Sequence, residues 1–179
     1  ATNDKELRKR IVFAANNQNA IEKDLQSLND YHEEIEQYYN GIDTDEFKLH
    51  FERLRGQCSQ VTPPYSKITI ETIARVYIST FLRMPNTMKS SAPKKIEAHQ
   101  EKGNIFQEEH PVEDYYYCGL LSYWLNYFIV NKLITLRSKT MDMHILTGCH
   151  LVLDNNYKTT NEKIDYLKQE ANALSLFQK

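Results

Sequence analysis

Little in this chain is built for sharp turns or covalent crosslinks. Five glycines and five prolines in 179 residues are too few for a loop-rich β protein. The three cysteines, Cys58, Cys118 and Cys149, are odd in number and far apart, which argues against a disulfide framework and for a reducing, cytoplasmic setting. Ala1 to Arg10 is polar and no apolar run follows it, so the chain shows no secretory signal. A net charge of −2 gives no global pull toward nucleic acid or a membrane surface. Several motifs are missing too. There is no GxSxG elbow, no glycine-rich phosphate loop, and no CxxC or HExxH spacing.

What the chain does have is one long apolar stretch, Asp114 to Leu136. It holds five of the twelve tyrosines and the single tryptophan, and Lys132 is the only charge from Tyr115 onward. At helical spacing Tyr116, Leu120, Trp124 and Phe128 fall on one side, and Leu121, Leu125, Ile129 and Leu133 on another. A helix that is apolar all round must be covered all round. About 20 apolar residues can also span a bilayer, but Ser122, Asn126, Asn131 and Lys132 inside the window and acids upstream favour a buried soluble helix. The expected fold is mainly α: a single helical domain over 1–179 around this central helix, with a minor β-hairpin in 47–68.

The neighbours read as follows. Leu7, Ile11, Val12, Ala14 and Ala15 form an apolar face that ends at Asn16-Asn17-Gln18-Asn19, whose amides compete for the backbone. A second helix starts near Asn29 or Asp30, buries Tyr31, Ile35, Tyr38 and Tyr39, and stops before Gly41. Phe47, Leu49 and Phe51 alternate with Lys48, His50 and Glu52, a strand pattern with a partner expected at Tyr65 to Ile68. Thr69 caps a helix carrying Ile70, Ile73, Ala74, Tyr77, Ile78 and Phe81, closed by Pro85. The segment from Pro85 to Pro111 reads as irregular, anchored by Ile105-Phe106. Met141 to Leu153 reads as a buried helix or strand, and Asn161 to Phe177 as a last amphipathic helix with Ile164, Leu167, Ala171, Leu174 and Phe177 inward.

Charge is segregated along the chain. Residues 29–46 carry seven acids and no Lys or Arg. Residues 47–95 carry nine Lys or Arg against Glu52 and Glu71, and 96–117 swing back to six acids against Lys102. A local basic surface can steer a polyanion; equally, the acidic segments can neutralise it within the fold.

Three candidate sites follow from the residue types. Asn16, Asn17, Gln18 and Asn19 suit base edges or a nucleotide, and equally suit capping of helix ends. Arg53 and Arg55 share one face of a strand end and could grip a phosphate, or pair with the acidic 29–46 segment. Lys89, Ser90 and Ser91, with Lys94 and Lys95, suit a phosphate-contacting loop or a plain solvated one. His144, Cys149 and His150 lie in an apolar run that favours core packing over a metal, and no cofactor is called for. Glu33-Glu34 and Glu108-Glu109 would splay apart on a helix, so neither reads as an acid/base dyad.

One ordered set of landmarks goes further. It comprises Arg10-Ile11-Val12 leading into Ala15-Asn16-Asn17-Gln18-Asn19, then Asp24-Leu25 and Ser27, then Phe51-Glu52-Arg53-Leu54-Arg55-Gly56-Gln57, the Ile68-to-Pro85 helix, Lys89-Ser90-Ser91 and Ile105-Phe106. Over residues 8–110 this order resembles the abortive-infection phage-resistance (AIPR) family. Ala20 stands where the family often has proline, and the family's upstream glycine-glutamine-threonine element is absent. The resemblance implies the C-terminal portion of a bacterial anti-phage protein, with any catalytic domain, a nuclease for instance, ahead of Ala1. The expected function is a non-catalytic interaction module that contacts DNA or RNA through the 47–95 surface. The alternative is a structural or sensing module that docks the N-terminal half of the parent, or a phage protein, without nucleic acid.

Overall fold

The computed structural model describes residues 30–42, 48–54, 56–88, 93–136, 138 and 141–178. The expected first helix, the amide cluster and Phe47 lie outside them. The described elements run α1 (Asp30–Gly41), β1 (His50–Glu52), a short 3-10 turn (Pro64–Ser66), β2 (Lys67–Thr69), α2 (Ile70–Thr80), α3 (Pro93–Glu101), α4 (Val112–Val130), α5 (Asp142–Asn156), α6 (Thr160–Leu167) and α7 (Glu170–Phe177).

The mainly helical expectation holds, and α4 is its axis. Every residue from Asp114 to Leu125 is buried, and α1, α2, α5, α6 and α7 all pack against it. None of the described helices is long and apolar enough to cross a membrane. The contacts are largely aromatic. Tyr115 stacks on Tyr77 and Phe106 at 4.8 and 5.0 Å between ring centroids, while Tyr39 meets Tyr116 at 4.9 Å and Phe51 at 5.1 Å. Such pairs contribute beyond the area they bury.

Polar atoms on these rings are satisfied as they are buried. The Tyr115 hydroxyl accepts from the Phe106 amide at 2.7 Å, and the Tyr39 hydroxyl donates to the Tyr115 carbonyl at 3.0 Å. Trp124 Nε1 donates to the Leu167 carbonyl at 2.7 Å. Leu167 is the last residue of α6, where a carbonyl lacks a helical partner, so the indole caps that helix.

α2 forms as its pattern dictates. Thr69 accepts from the Thr72 amide, Glu71 sits in the first turn, and Ile70, Ile73, Ala74, Tyr77 and Ile78 are buried.

Four features differ from expectation. The strands exist, but they are parallel, pairing His50 with Lys67, Phe51 with Ile68 and Glu52 with Thr69, so 47–68 is not a hairpin. The chain leaves β1 through a turn whose Gly56 sits at φ +83°, a conformation that favours glycine. It then returns past Pro63 and Pro64 to start β2 beside the beginning of β1. The Pro85–Pro111 segment contains α3, which buries Ile96. α4 stops at Val130, not Leu136. Lys132, at φ 59°, donates its amide to the Ile129 carbonyl at 3.1 Å, and the Leu133 amide reaches the Phe128 carbonyl at 2.8 Å. This is a Schellman closure with lysine where glycine is usual, and it turns Leu133 outward, 41% exposed. The Met141–Leu153 run, by contrast, takes one of its two expected forms, a helix over Asp142–Asn156.

The last helix is two helices. Trp124 holds the Leu167 carbonyl and Asn172 Nδ2 holds the Tyr166 carbonyl at 3.2 Å, so the ladder breaks at Lys168-Gln169. The break shifts the face: Ala173 and Leu176 are buried, while Ala171 is exposed.

Gly119 sets how closely α1 can approach α4. A Cβ there would overlap the Tyr39 hydroxyl and sit 3.2 Å from Ile68 Cγ2. Gly119→Ala is therefore expected to destabilise by about 2 kcal/mol, even though alanine favours a helix over glycine by ~1 kcal/mol. Tyr39→Phe alone loses a hydrogen bond, yet it removes the overlapping oxygen. Urea denaturation should find the double variant no less stable than Gly119→Ala alone; strictly additive losses would refute the close-approach argument.

Candidate functional site

Of the residues singled out by sequence, Asn16, Asn17, Gln18, Asn19, Arg55, Lys89, Ser90 and Ser91 lie outside the described residues. Arg53 does not. It follows β1, and its Nε donates to Glu36 Oε2 of α1 at 2.7 Å with both side chains largely covered. Gln57 Nε2 donates to the other Glu36 oxygen. Arg53 is thus held by the acidic segment, a short charge-assisted bond of the strong class.

Glu52 organises the turn beside it. It is buried, and its Oε1 accepts from the Gly56 amide at 3.1 Å and the Cys58 amide at 3.4 Å. Its Oε2 lies 3.5 Å from Lys67 Nζ. Other cations of the 47–95 stretch are also engaged. Arg75 Nη2 donates to the Met88 carbonyl at 2.9 Å and lies 3.8 Å from Asp142 Oδ2, and Lys95 donates to the Thr87 carbonyl at 2.9 Å.

Two cavities open beside α4. The larger, about 680 Å³, lies between α4 and the Pro63–Lys67 segment; the smaller, about 260 Å³, lies between α2, α4 and α5. Both are lined by Thr72, Ser122 and Asn126, so they adjoin along the α2–α4 seam. Sequence reasoning missed this feature. Its residues come from four separate stretches and form no motif; Val130, 62% exposed at the end of an otherwise buried helix, is the one signal, and it needs the helix end to be known.

A polar chain, buried except at the exposed Asp154, crosses α4, α5 and α6. Tyr117 Oη and His150 Nδ1 are 3.2 Å apart, His150 Nε2 is 3.2 Å from Asp154 Oδ2, and Lys163 Nζ donates to Asp154 Oδ1. Thr160 donates to Asp114 Oδ1 at 2.5 Å alongside. Burial pushes the His150 imidazole down despite the facing carboxylate, and pushes the Asp114 carboxyl up against the Thr160 hydroxyl that favours its charge. The chain joins three helices around a neutral histidine.

The thiols are muted in the same way. Burial pushes Cys118 well above its usual value and Cys149 up to about 12, so neither supplies a thiolate nucleophile near neutral pH. His144 is exposed while Cys149 and His150 are buried. Among the described residues no three His, Cys, Asp or Glu side chains gather closely enough to hold a metal ion.

A family model described as AIPR protein matches residues 1–178. The chain belongs to the AIPR family. The resemblance carried by residues 8–110 therefore extends through α4 to α7. Comparison with curated proteins and with solved structures gave no match. AIPR membership suggests a role in abortive infection, a phage-defence response.

His32 of α1 stands apart within this AIPR chain. It is fully buried edge-on to Phe106 at 4.5 Å, and neither ring nitrogen has a hydrogen-bond partner. Burial, and then the Arg53 charge, push its pKa down to about 4. The folded protein therefore resists a proton that the unfolded chain takes up near pH 6.5. Stability is full above about pH 6.5 and is lost as pH falls from there toward 4, by up to about 3 kcal/mol. Urea midpoints across this window should fall in the wild type and fall less in His32→Leu; equal slopes would show that His32 is not the group responsible.

Proposed function

We infer that this AIPR chain is a non-catalytic interaction module of a phage-defence protein, and that it engages polypeptide in preference to nucleic acid. One observation carries the reading: four of the nine cations that make 47–95 basic in sequence, Arg53, Lys67, Arg75 and Lys95, each face a separate partner within the fold. Arg53 pairs with Glu36, Lys67 approaches Glu52, and Arg75 is shared between the Met88 carbonyl and Asp142. A phosphate backbone would have to displace Glu36 from Arg53, and the more loosely paired Lys67 and Arg75 are too few for the steep salt dependence of counterion release. The groove beside α4 has apolar walls and a hydroxyl-and-amide floor, which suits a protein surface. The partners that fit are the remaining portion of the parent protein or a phage protein.

The test is gel-shift or anisotropy titration with duplex DNA, single-stranded DNA and RNA across a salt series, on the wild type and on Arg53→Ala combined with Arg55→Ala. Binding is expected to be no tighter than the nonspecific range, about 10⁻⁴ to 10⁻⁶ M, and the double variant is expected to match the wild type. Tight, steeply salt-dependent binding that the double variant loses would return the function to nucleic acid. Co-purification with the separately expressed remainder of the parent is the positive arm.

A further inference from the structure

The two cavities beside α4 are not an incidental gap. Their shared residues Thr72, Ser122 and Asn126 form a polar midsection, with different walls at each end. Beyond it on one side stand Pro63, Pro64, Tyr65 and the exposed Val130; on the other stand Ile129, Leu136 and the Arg75–Asp142 pair. Apolar walls around a central row of hydroxyl and amide groups match an extended chain, which alternates side chains with peptide groups needing donors and acceptors.

Charge narrows the occupant. The groove is lined by two cations, Lys67 and Arg75, and by one carboxylate, Asp142. Neither cation is tightly held by its acid: Lys67 lies 3.5 Å from Glu52 and Arg75 3.8 Å from Asp142, against 2.7 Å for Arg53 and Glu36. Charge-assisted bonds settle near 2.7–2.9 Å, so both cations retain room for a closer anion. Arg75 Nε is buried and has no hydrogen-bond partner, a donor left costly until something accepts from it.

From these observations we propose that the groove along α4 docks an extended segment of a partner protein, in which apolar side chains lie against Pro63, Tyr65 and Val130 and a carboxylate pairs with Arg75. A nucleic acid strand fits less well. Tyr65, the ring a base would use, is already packed on Tyr123 and Tyr127 at 5.6 and 5.7 Å, and two separated cations are few for a phosphate chain. The inference rests on the polypeptide-binding reading and adds where and with what chemistry it is met.

Panning random displayed peptides on the purified chain tests it, followed by anisotropy with fluorescein-labelled copies of the enriched sequences. Enriched peptides are expected to join Asp or Glu to large apolar residues. Val130→Asp, at an exposed position and with an unchanged melting temperature, should weaken them at least about tenfold. Arg75→Met should weaken the acidic peptides and leave their Asn or Gln counterparts unchanged. No enrichment, enrichment of basic or uncharged peptides, binding indifferent to Val130→Asp, or displacement by an oligo-dT strand would each overturn the proposal. If the remainder of the parent co-purifies equally with wild type and Val130→Asp, the groove is wrong while the interaction module stands. If it fails to co-purify with the wild type as well, both fall together.

Discussion

A nineteen-residue helix, α4, with no polar face is the constraint from which the rest of the fold follows. Such a helix cannot rest on a surface; it needs partners around its circumference, and α1, α2, α5, α6 and α7 supply them. The covering is tightest at its N-terminal two-thirds and ends where the helix ends. Residues through Leu125 are buried, whereas Asn126 and Val130 are exposed. The groove lies at that transition, where coverage by the 63–67 segment and by α5 is incomplete.

Tyrosine is what makes so crowded a core compatible with hydrogen bonding. Tyr39 and Tyr115 bury whole rings while passing their hydroxyls to backbone groups, and Trp124 does the same for the end of α6. These bonds are directional in a way that Leu and Phe contacts are not. They fix the register between helices that would otherwise slide on an apolar rod. Two buried histidines show the contrasting outcomes. His150 is placed between Tyr117 and Asp154 and has a partner for each nitrogen, and His32 has none, yet burial lowers both imidazoles and makes both a source of acid sensitivity.

How much of this was legible in the sequence depended on whether the deciding interaction was local. Thr69 and the α2 stripe, the aromatic face of α1, the Ile105-Phe106 anchor and the buried run of α4 follow from residues within a turn or two of each other. The failures share a different cause. Lys132 and Arg83 take left-handed backbone without being glycine, so the chain reversal at the end of α4 carries no glycine mark. The break between α6 and α7 is made by Trp124, more than forty positions away, and by Asn172. The strand pair is parallel because the return loop brings Lys67 beside His50, which alternation in either strand cannot express. Of the candidate-site residues, Arg53, Lys94 and Lys95 fall among the described ones, and the partner of Arg53, Glu36, sits in the acidic segment that was one of two options. The groove was invisible, being assembled from 63–67, 72–75, 122–130 and 136–146.

The charge pattern shows why a segment's composition is a poor guide to a surface. Nine cations against two acids over 47–95 read as a basic patch only if they emerge on one face. The fold sends four of them different ways: Arg53 turns toward α1, Lys67 toward the end of β1, Arg75 toward α5 and the Met88 carbonyl, and Lys95 back onto the Thr87 carbonyl. Field strength depends on free charges within about a Debye length of one another, roughly 8–10 Å at ordinary salt, not on their spacing in the chain. What survives is a difference in how firmly each cation is held. Arg53, at 2.7 Å from its acid, is committed to the fold; Lys67 and Arg75, at 3.5 and 3.8 Å, retain attraction for another carboxylate, and these two are the cations that line the groove.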